Sequence, residues 1–152
     1  MAQLPSGVAV IAVRDELDDL VTTASSLVSV SLDPALISIC TDNSSYFSEV
    51  LNRSPKWSIT VLSAGQRHLA GRCSARGRPS ARLLLAGEAH HRGVYSDSLI
   101  IDGGVAALEC HTLQQVPAGD HHIVIASVTA IDYVDPAGVP LLRLRRSYRP
   151  AS

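Results

Sequence analysis

Aromatic residues are scarce in this chain: 4% of its 152 positions, with one Trp and one Phe. Its core must therefore be packed from Val, Leu, Ile and Ala, which an apolar fraction of 46% can supply. The same scarcity argues against nucleic-acid binding, which pairs a basic stripe with stacking rings. Net charge is −1, and the densest basic patch, Arg143-Leu144-Arg145-Arg146, reads as a solvated strand end. Cysteine is also sparse. Cys40, Cys73 and Cys110 form no C-x-x-C and are odd in number, which argues against a disulfide scaffold and fits a reducing cytosol. They read as small buried hydrophobes. The apolar run Gly7 to Val13 is too short to span a bilayer and lacks the basic flank and cleavage site of a signal peptide. The expectation is a cytoplasmic protein with no membrane partner, folded as one domain over 1–152.

Several catalytic signatures are missing too. There is no G-x-G-x-x-G after a strand, so a nucleotide would not be held by a Rossmann turn. His68, His90, His91 and His111 show no H-E-x-x-H spacing, and no G-x-S-x-G elbow is present. Metal-dependent and serine-hydrolase chemistry are both disfavoured.

The hydropathy pattern gives strands separated by turns. Val8 to Val13, Leu20 to Ser31, Leu36 to Cys40, Trp57 to Leu62, Leu99 to Ile101, Ala106 to Val116, His121 to Val134 and Val139 to Leu144 read as strands. Leu36 to Cys40 is apolar throughout and reads as buried. Pro117-Ala118-Gly119-Asp120 folds its flanking strands into a hairpin. Short helices are expected after Asn43-Ser44-Ser45, over Ala64 to Ala75, and near Leu83 to Leu85, with Arg76-Gly77-Arg78-Pro79-Ser80 linking the last two. The class is mainly β with short helices, as an antiparallel barrel or sandwich.

Three features carry chemistry. Between Thr22 and Ser31 six hydroxyl residues alternate with small ones, and Asp33-Pro34 ends the run. Small residues let a backbone approach a flat ring, and neutral hydroxyls suit ribityl and phosphate oxygens. A Ser/Thr-rich strand half exposed to solvent would look the same. Asn43-Ser44-Ser45 opens a helix, whose N–H groups make an anion site or simply a cap. His121 begins a strand beside a turn, where it could line a pocket mouth. In a strand His121 and His122 face opposite ways, so only one of them serves a given site.

Further segments fall in a distinctive order: Leu4-Pro5-Ser6-Gly7-Val8-Ala9-Val10, Thr23-Ala24-Ser25-Ser26, Ser29-Val30-Ser31-Leu32-Asp33-Pro34, Ser44-Ser45, Val61-Leu62-Ser63-Ala64-Gly65-Gln66, Leu108-Glu109-Cys110, Ala118-Gly119-Asp120-His121 and Tyr148-Arg149. With them the chain, from Leu4 to Arg149, resembles the flavin reductase-like family, whose members adopt an FMN-binding split β-barrel of Greek-key type. The resemblance implies a homodimer that takes hydride from NADH or NADPH, reduces FMN or FAD, and passes the reduced flavin to a flavin-dependent monooxygenase. It implies flavin contacts from Thr23, Ala24, Ser25 and Ser26, with Ser44 and Ser45 near the phosphate. It sets His121 by the nicotinamide or the flavin ring, as a positioning group in the catalytic site, and makes Tyr148 a further pocket residue. Leu27 and Cys73 stand where many members carry Phe, Thr60 where Asn is common, and Arg76 to Ser98 follows the family poorly. Those departures leave a second reading: a split-barrel protein that binds flavin or another planar ligand in a non-reductase role in a biosynthetic pathway. A purely structural or regulatory β-barrel module is a third.

Overall fold

The computed structural model describes residues 2–151. In chain order its elements are β1 (Ser6–Gly7), β2 (Ala9–Asp15), β3 (Asp18–Ala24), β4 (Val28–Leu32), β5 (Ala35–Asp42), α1 (Tyr46–Arg53), β6 (Lys56–Val61), a 3-10 turn (Ala64–Gln66), α2 (Arg67–Ser74), α3 (Ala81–Leu84), β7 (His90–Arg92), β8 (Leu99–Ile101), β9 (Ala106–Ala118), β10 (His121–Val134), β11 (Leu141–Leu144) and β12 (Ser147–Pro150). All the strand pairings described are antiparallel. The mainly β class with short helices is thus the class observed.

Seven strands form the principal sheet in the order β3-β2-β6-β9-β10-β5-β4. Its two edges, β3 and β4, are consecutive in the chain and joined only by Ser25, Ser26 and Leu27. A twisted sheet whose edge strands are tied by three residues must curl until those edges approach each other. They do not pair, so the curl stops short of closure and leaves a seam. The expected single strand from Leu20 to Ser31 is therefore two strands. Hydroxyl and small residues continue unchanged through the break, so periodicity alone gives no sign that the chain leaves one edge of the sheet and starts the other.

The core lies on both sides of this sheet. Val8, Val10 and Ala12 pack with Leu69, Ala70 and Cys73 of α2 and with Leu84 and Leu85. Ala9, Ile11 and Val13 face the other way, toward Ile39, Phe47, Val50, Leu51 and Trp57. Coverage on both faces explains why Val8 to Val13 is apolar without alternation. The same holds for β6, where Trp57, Ser58, Ile59 and Thr60 are all buried. The Ser58 hydroxyl donates to Leu99 O at 2.7 Å, and the Thr60 hydroxyl accepts from Ile101 N–H at 3.1 Å, so neither polar group is stranded.

β5 departs from its expected continuous burial. Ile37, Ile39 and Thr41 point inward, while Cys40 and Asp42 are exposed, because only one face of this near-edge strand is covered. Only Cys73 and Cys110 are the buried hydrophobes the composition implies; burial pushes their thiols up to about 11 and about 12. Cys40 is exposed.

Helix α1 starts as expected. Ser45 is its N-cap, accepting from Ser48 N–H at 3.1 Å, and Phe47, Val50 and Leu51 form its buried face. The segment Arg76 to Ser98 carries α3 and β7, which pairs in a small hairpin with β8, the strand expected at Leu99 to Ile101; β7 itself is too short to be legible in sequence. Arg92 holds this hairpin to β3 through Asp19, at 2.9 and 2.7 Å. His91 sits between two carboxylates, Nδ1 2.7 Å from Asp102 and Nε2 2.9 Å from Asp132. A third sheet, β1-β11-β12, ends in the two-residue turn Arg145-Arg146.

Candidate functional site

The seam holds a cavity of about 220 Å³ between the ends of β3 and β5. Ile11, Ile39 and Phe47 give it an apolar floor, with Ala24 beside them; Thr22, Thr23, Thr41, Asp42, Ser45, Arg78 and His121 supply its polar wall. That volume alone is small for a cofactor. A second groove of about 410 Å³ adjoins it, sharing Ser45, Phe47 and Arg78 and adding Arg76, Gly77 and Pro79. The two together form one trough from the seam to the α2–α3 linker.

Each wall residue has a structural reason for its place. Thr23 Oγ1 donates to Ala70 O at 2.7 Å, locking the end of β3 against α2. His121 is the first residue of β10, opposite Ala118 of β9 and Asp42 of β5. The turn before it is tied down by Asn43, whose N–H donates to Asp120 O at 3.0 Å and whose Nδ2 donates to Gly119 O at 3.2 Å. Gly119 adopts φ +69, a conformation glycine takes without steric cost. The imidazole is then oriented by a 2.7 Å hydrogen bond between Nδ1 and Asp120 Oδ1. A carboxylate only accepts, so Nδ1 carries the proton and Nε2 is left for a ligand.

The hydroxyl motif is divided by the structure. Thr23 and Ala24 line the seam cavity, but Ser25 and Ser26 line a separate cleft with Arg143, Arg145 and Arg146. Ser26 Oγ accepts from Cys40 N–H at 2.9 Å and lies 3.3 Å from Cys40 O. It therefore stitches the loop between the sheet edges to β5.

Ser44 and Ser45 are divided as well. Ser44 gives both its N–H and its hydroxyl to Asp42 Oδ1, at 2.8 and 2.7 Å, and those two bonds hold the Asp42 carboxyl below the usual range. Ser45 caps α1 and faces the cavity; Ser44 lines none of these spaces. Tyr148 lines none either. Its ring packs on the α2 side of the core and its hydroxyl stands 3.5 Å from Ala70 O.

Sequence reasoning passed over Arg78, the only Arg or Lys on the seam wall among the described residues. Its Nε donates to Val21 O at 3.1 Å, which brings the α2–α3 linker back over β3. The sole sequence signal was an arginine-rich, Gly- and Pro-punctuated loop. Cys40 and Asp42 on the same wall were equally silent, because nothing local says that β5 ends at a seam. Of the substituted family positions, Cys73 is a core residue on α2 and Leu27 packs against the opposite core, so neither lines the trough.

Comparison with known proteins agrees with this architecture. The family model described as "Flavin reductase like domain" matches residues 1–152. The chain is similar to the NADH-dependent FMN reductase AsuE2 of Streptomyces nodosus subsp. asukaensis, with 31% identity over 97% of this chain and 80% of that protein. It is also similar to the actinorhodin polyketide dimerase of Streptomyces coelicolor, with 32% identity over 97% of this chain and 81% of that one. Among solved structures, BorF, the flavin reductase component of a bacterial two-component tryptophan halogenase, superposes with a TM-score of 0.90 at 27% identity, over 98% of this chain and 92% of its own. The incompletely closed antiparallel sheet is the split barrel of those reductases, and this chain belongs to the flavin reductase-like family.

Proposed function

We propose that this protein is an NAD(P)H-dependent flavin reductase that binds FMN or FAD in the seam trough and supplies reduced flavin to a partner flavin-dependent monooxygenase. The seam cavity carries the reading. Its apolar floor of Ile11, Ile39 and Phe47 suits a planar ring, its rim offers hydroxyl groups beside the Asp42 carboxylate, and Arg78 is the one Arg or Lys among the described lining residues. That donor set fits a flavin, which combines a flat ring, a polyhydroxyl chain and a phosphate. The bound flavin and nicotinamide supply the hydride transfer itself.

The chain's part is to position and to exclude water. Thr23 and Ala24 would meet the ring at the end of β3, and Ser25 and Ser26, in the neighbouring cleft, would meet the flavin beyond its ring. Ser45, at the N-terminus of α1, would face the phosphate together with Arg78, where the helix dipole and the guanidinium both favour an anion. Ser44 acts on that site through Asp42. His121 presents Nε2 at the cavity mouth as a positioning group for the nicotinamide or the flavin. Tyr148 supports the wall through α2.

The unit is one flavin reductase-like domain over 1–152, cytoplasmic, and assembled as a homodimer. Val28, Val30 and Leu32 lie exposed on the edge strand β4 beside the seam, and an apolar unpaired edge is a natural surface for a second copy. Among the described residues no helix is long and apolar enough to cross a membrane.

Absorbance at 340 nm with NADH, run separately with FMN and FAD, tests the reading. Flavin-dependent NADH loss is expected; its absence with both flavins overturns the proposal. The similarity to a polyketide dimerase favours one alternative, a non-reductase role on the same scaffold in a biosynthetic pathway. Tight flavin binding without oxidation of NADH or NADPH is the outcome that selects it.

A further inference from the structure

The tip of the β11-β12 hairpin departs from ordinary turn chemistry. Leu144 pairs with Ser147, so Arg145 and Arg146 form a two-residue turn, with φ of +51 and +64. Turns of this type favour Asn-Gly or Gly-Gly, because both central residues occupy the left-handed region. Two arginines there are sterically costly, and strain of this kind concentrates at binding sites.

The tip also carries unbalanced charge. Arg143, Arg145 and Arg146 line one cleft of about 420 Å³ with Ser6, Ser25 and Ser26, and no Asp or Glu is among the lining residues. Arg14, Arg53, Arg72 and Arg92 each have a carboxylate partner, whereas among the described residues none of these three does. Arg145 Nε donates instead to the neutral Gln3 Oε1, at 2.9 Å. Three arginines lining one cleft without a carboxylate leave its positive charge uncompensated, and a polyanion with forked oxygens would compensate it.

The cleft borders the seam cavity across the loop that joins β3 to β4. Ala24 lines one space and Ser25 the other, and Ser26 joins them through its bonds to Cys40, which lies on the seam wall. In the proposed arrangement the flavin phosphate would meet Arg78, which lines the seam cavity and the α2–α3 groove but not this cleft. We propose that the Arg143, Arg145 and Arg146 cleft binds the diphosphate of a dinucleotide whose ring lies in the seam. This inference rests on the reductase reading for the ring, and on the cleft alone for the phosphates.

The turn itself supplies the decisive variant. R145N/R146G writes the favoured dipeptide into the hairpin, so its melting temperature should hold or rise while dinucleotide binding falls. R143Q removes the third charge without touching the turn. We expect each variant to raise the KM of the dinucleotide about tenfold or more, with a smaller effect on kcat, and to flatten its dependence on salt. Running NADH, NADPH, FAD and FMN in parallel distinguishes the sources. A KM effect on the nicotinamide nucleotides assigns the cleft to the hydride donor; an effect on FAD but not FMN assigns it to the adenylate half of the flavin. Unchanged KM values for all of them in folded variants overturn the inference. Calorimetric titration of the wild type and both variants with ADP-ribose, which carries the diphosphate without a redox ring, separates the two readings. Arginine-dependent ADP-ribose binding by a protein that oxidises no NADH sustains the cleft and defeats the reductase reading; active wild type with arginine-independent binding does the reverse.

Discussion

The Ser26 hydroxyl accepts from the backbone N–H of Cys40 at 2.9 Å and stands 3.3 Å from the same residue's carbonyl, so one side chain bridges a loop and a strand that share no ladder. This bridge holds the loop between β3 and β4 over the seam. Ser25 has no such partner among the described residues and lines the arginine cleft.

The two serines should therefore respond differently to deletion of their hydroxyls. Ser26→Ala leaves two backbone groups of Cys40 without their protein partner and should cost about 1–2 kcal/mol of stability, visible as a lowered melting temperature. Ser25→Ala should leave the melting temperature within about 1 °C and act only on ligand affinity. Equal stability of the two variants would remove the stitching role from Ser26.

His121→Ala should slow flavin-dependent NADH oxidation about tenfold or more while changing flavin affinity less, since it removes a positioning group at the cavity mouth. Fluorescence titration of the flavin beside single-turnover absorbance separates the two effects. A loss confined to flavin affinity reassigns His121 to the flavin site.

Glu109 is a buried carboxylate that accepts from Tyr95 N–H, Ser96 N–H and the Ser96 hydroxyl, the last two at 2.6 Å. Desolvation opposes its charge, but the Ser96 and Tyr95 donors outweigh it and lower its pKa. A side chain at Gly93 would collide with this carboxylate, so the 93–98 loop is moulded around it. Glu109→Gln sets an amide donor against these donors and should cost about 2–3 kcal/mol. Because the folded pKa is depressed, the Glu109 contribution is present above the unfolded value and lost as pH falls through the folded one. The variant's deficit in chemical denaturation should accordingly shrink in acid; a deficit independent of pH would refute this.

His91 has the opposite sign. Burial lowers its pKa, but the hydrogen bonds to Asp102 and Asp132 prevail and the net shift is upward. Both ring nitrogens face carboxylate acceptors, so the doubly protonated, cationic ring is the form that satisfies both bonds. Its stabilisation is fully present below the unfolded value of about 6.5 and is lost as pH rises through the higher folded value. The ring is well exposed, so the effect is modest. His91→Asn should lower the melting temperature more at pH 5.5 than at pH 8.5, and a larger loss at pH 8.5 would contradict the assignment.

Much of the fold could be read from local patterns. The β9-β10 hairpin declares itself through Pro117 to Asp120 and two long apolar strands, and α1 through its Ser cap and the spacing of Phe47, Val50 and Leu51. The strands β1, β7 and β12 are too short to give a period, and the break at Ser25 to Leu27 keeps the composition of the strands around it.

Composition alone determined that the core would be largely aliphatic. The ordered motifs from Leu4 to Tyr148 determined the family. Tertiary structure decided which hydroxyls are free and which are consumed: Thr23 by Ala70, Ser26 by Cys40, Ser44 by Asp42. It also decided that Arg78 reaches the seam while Arg143, Arg145 and Arg146 gather at a second cleft. Hydrogen bonds and charges act over a few ångströms of space, and a curled sheet brings together residues that the chain keeps far apart.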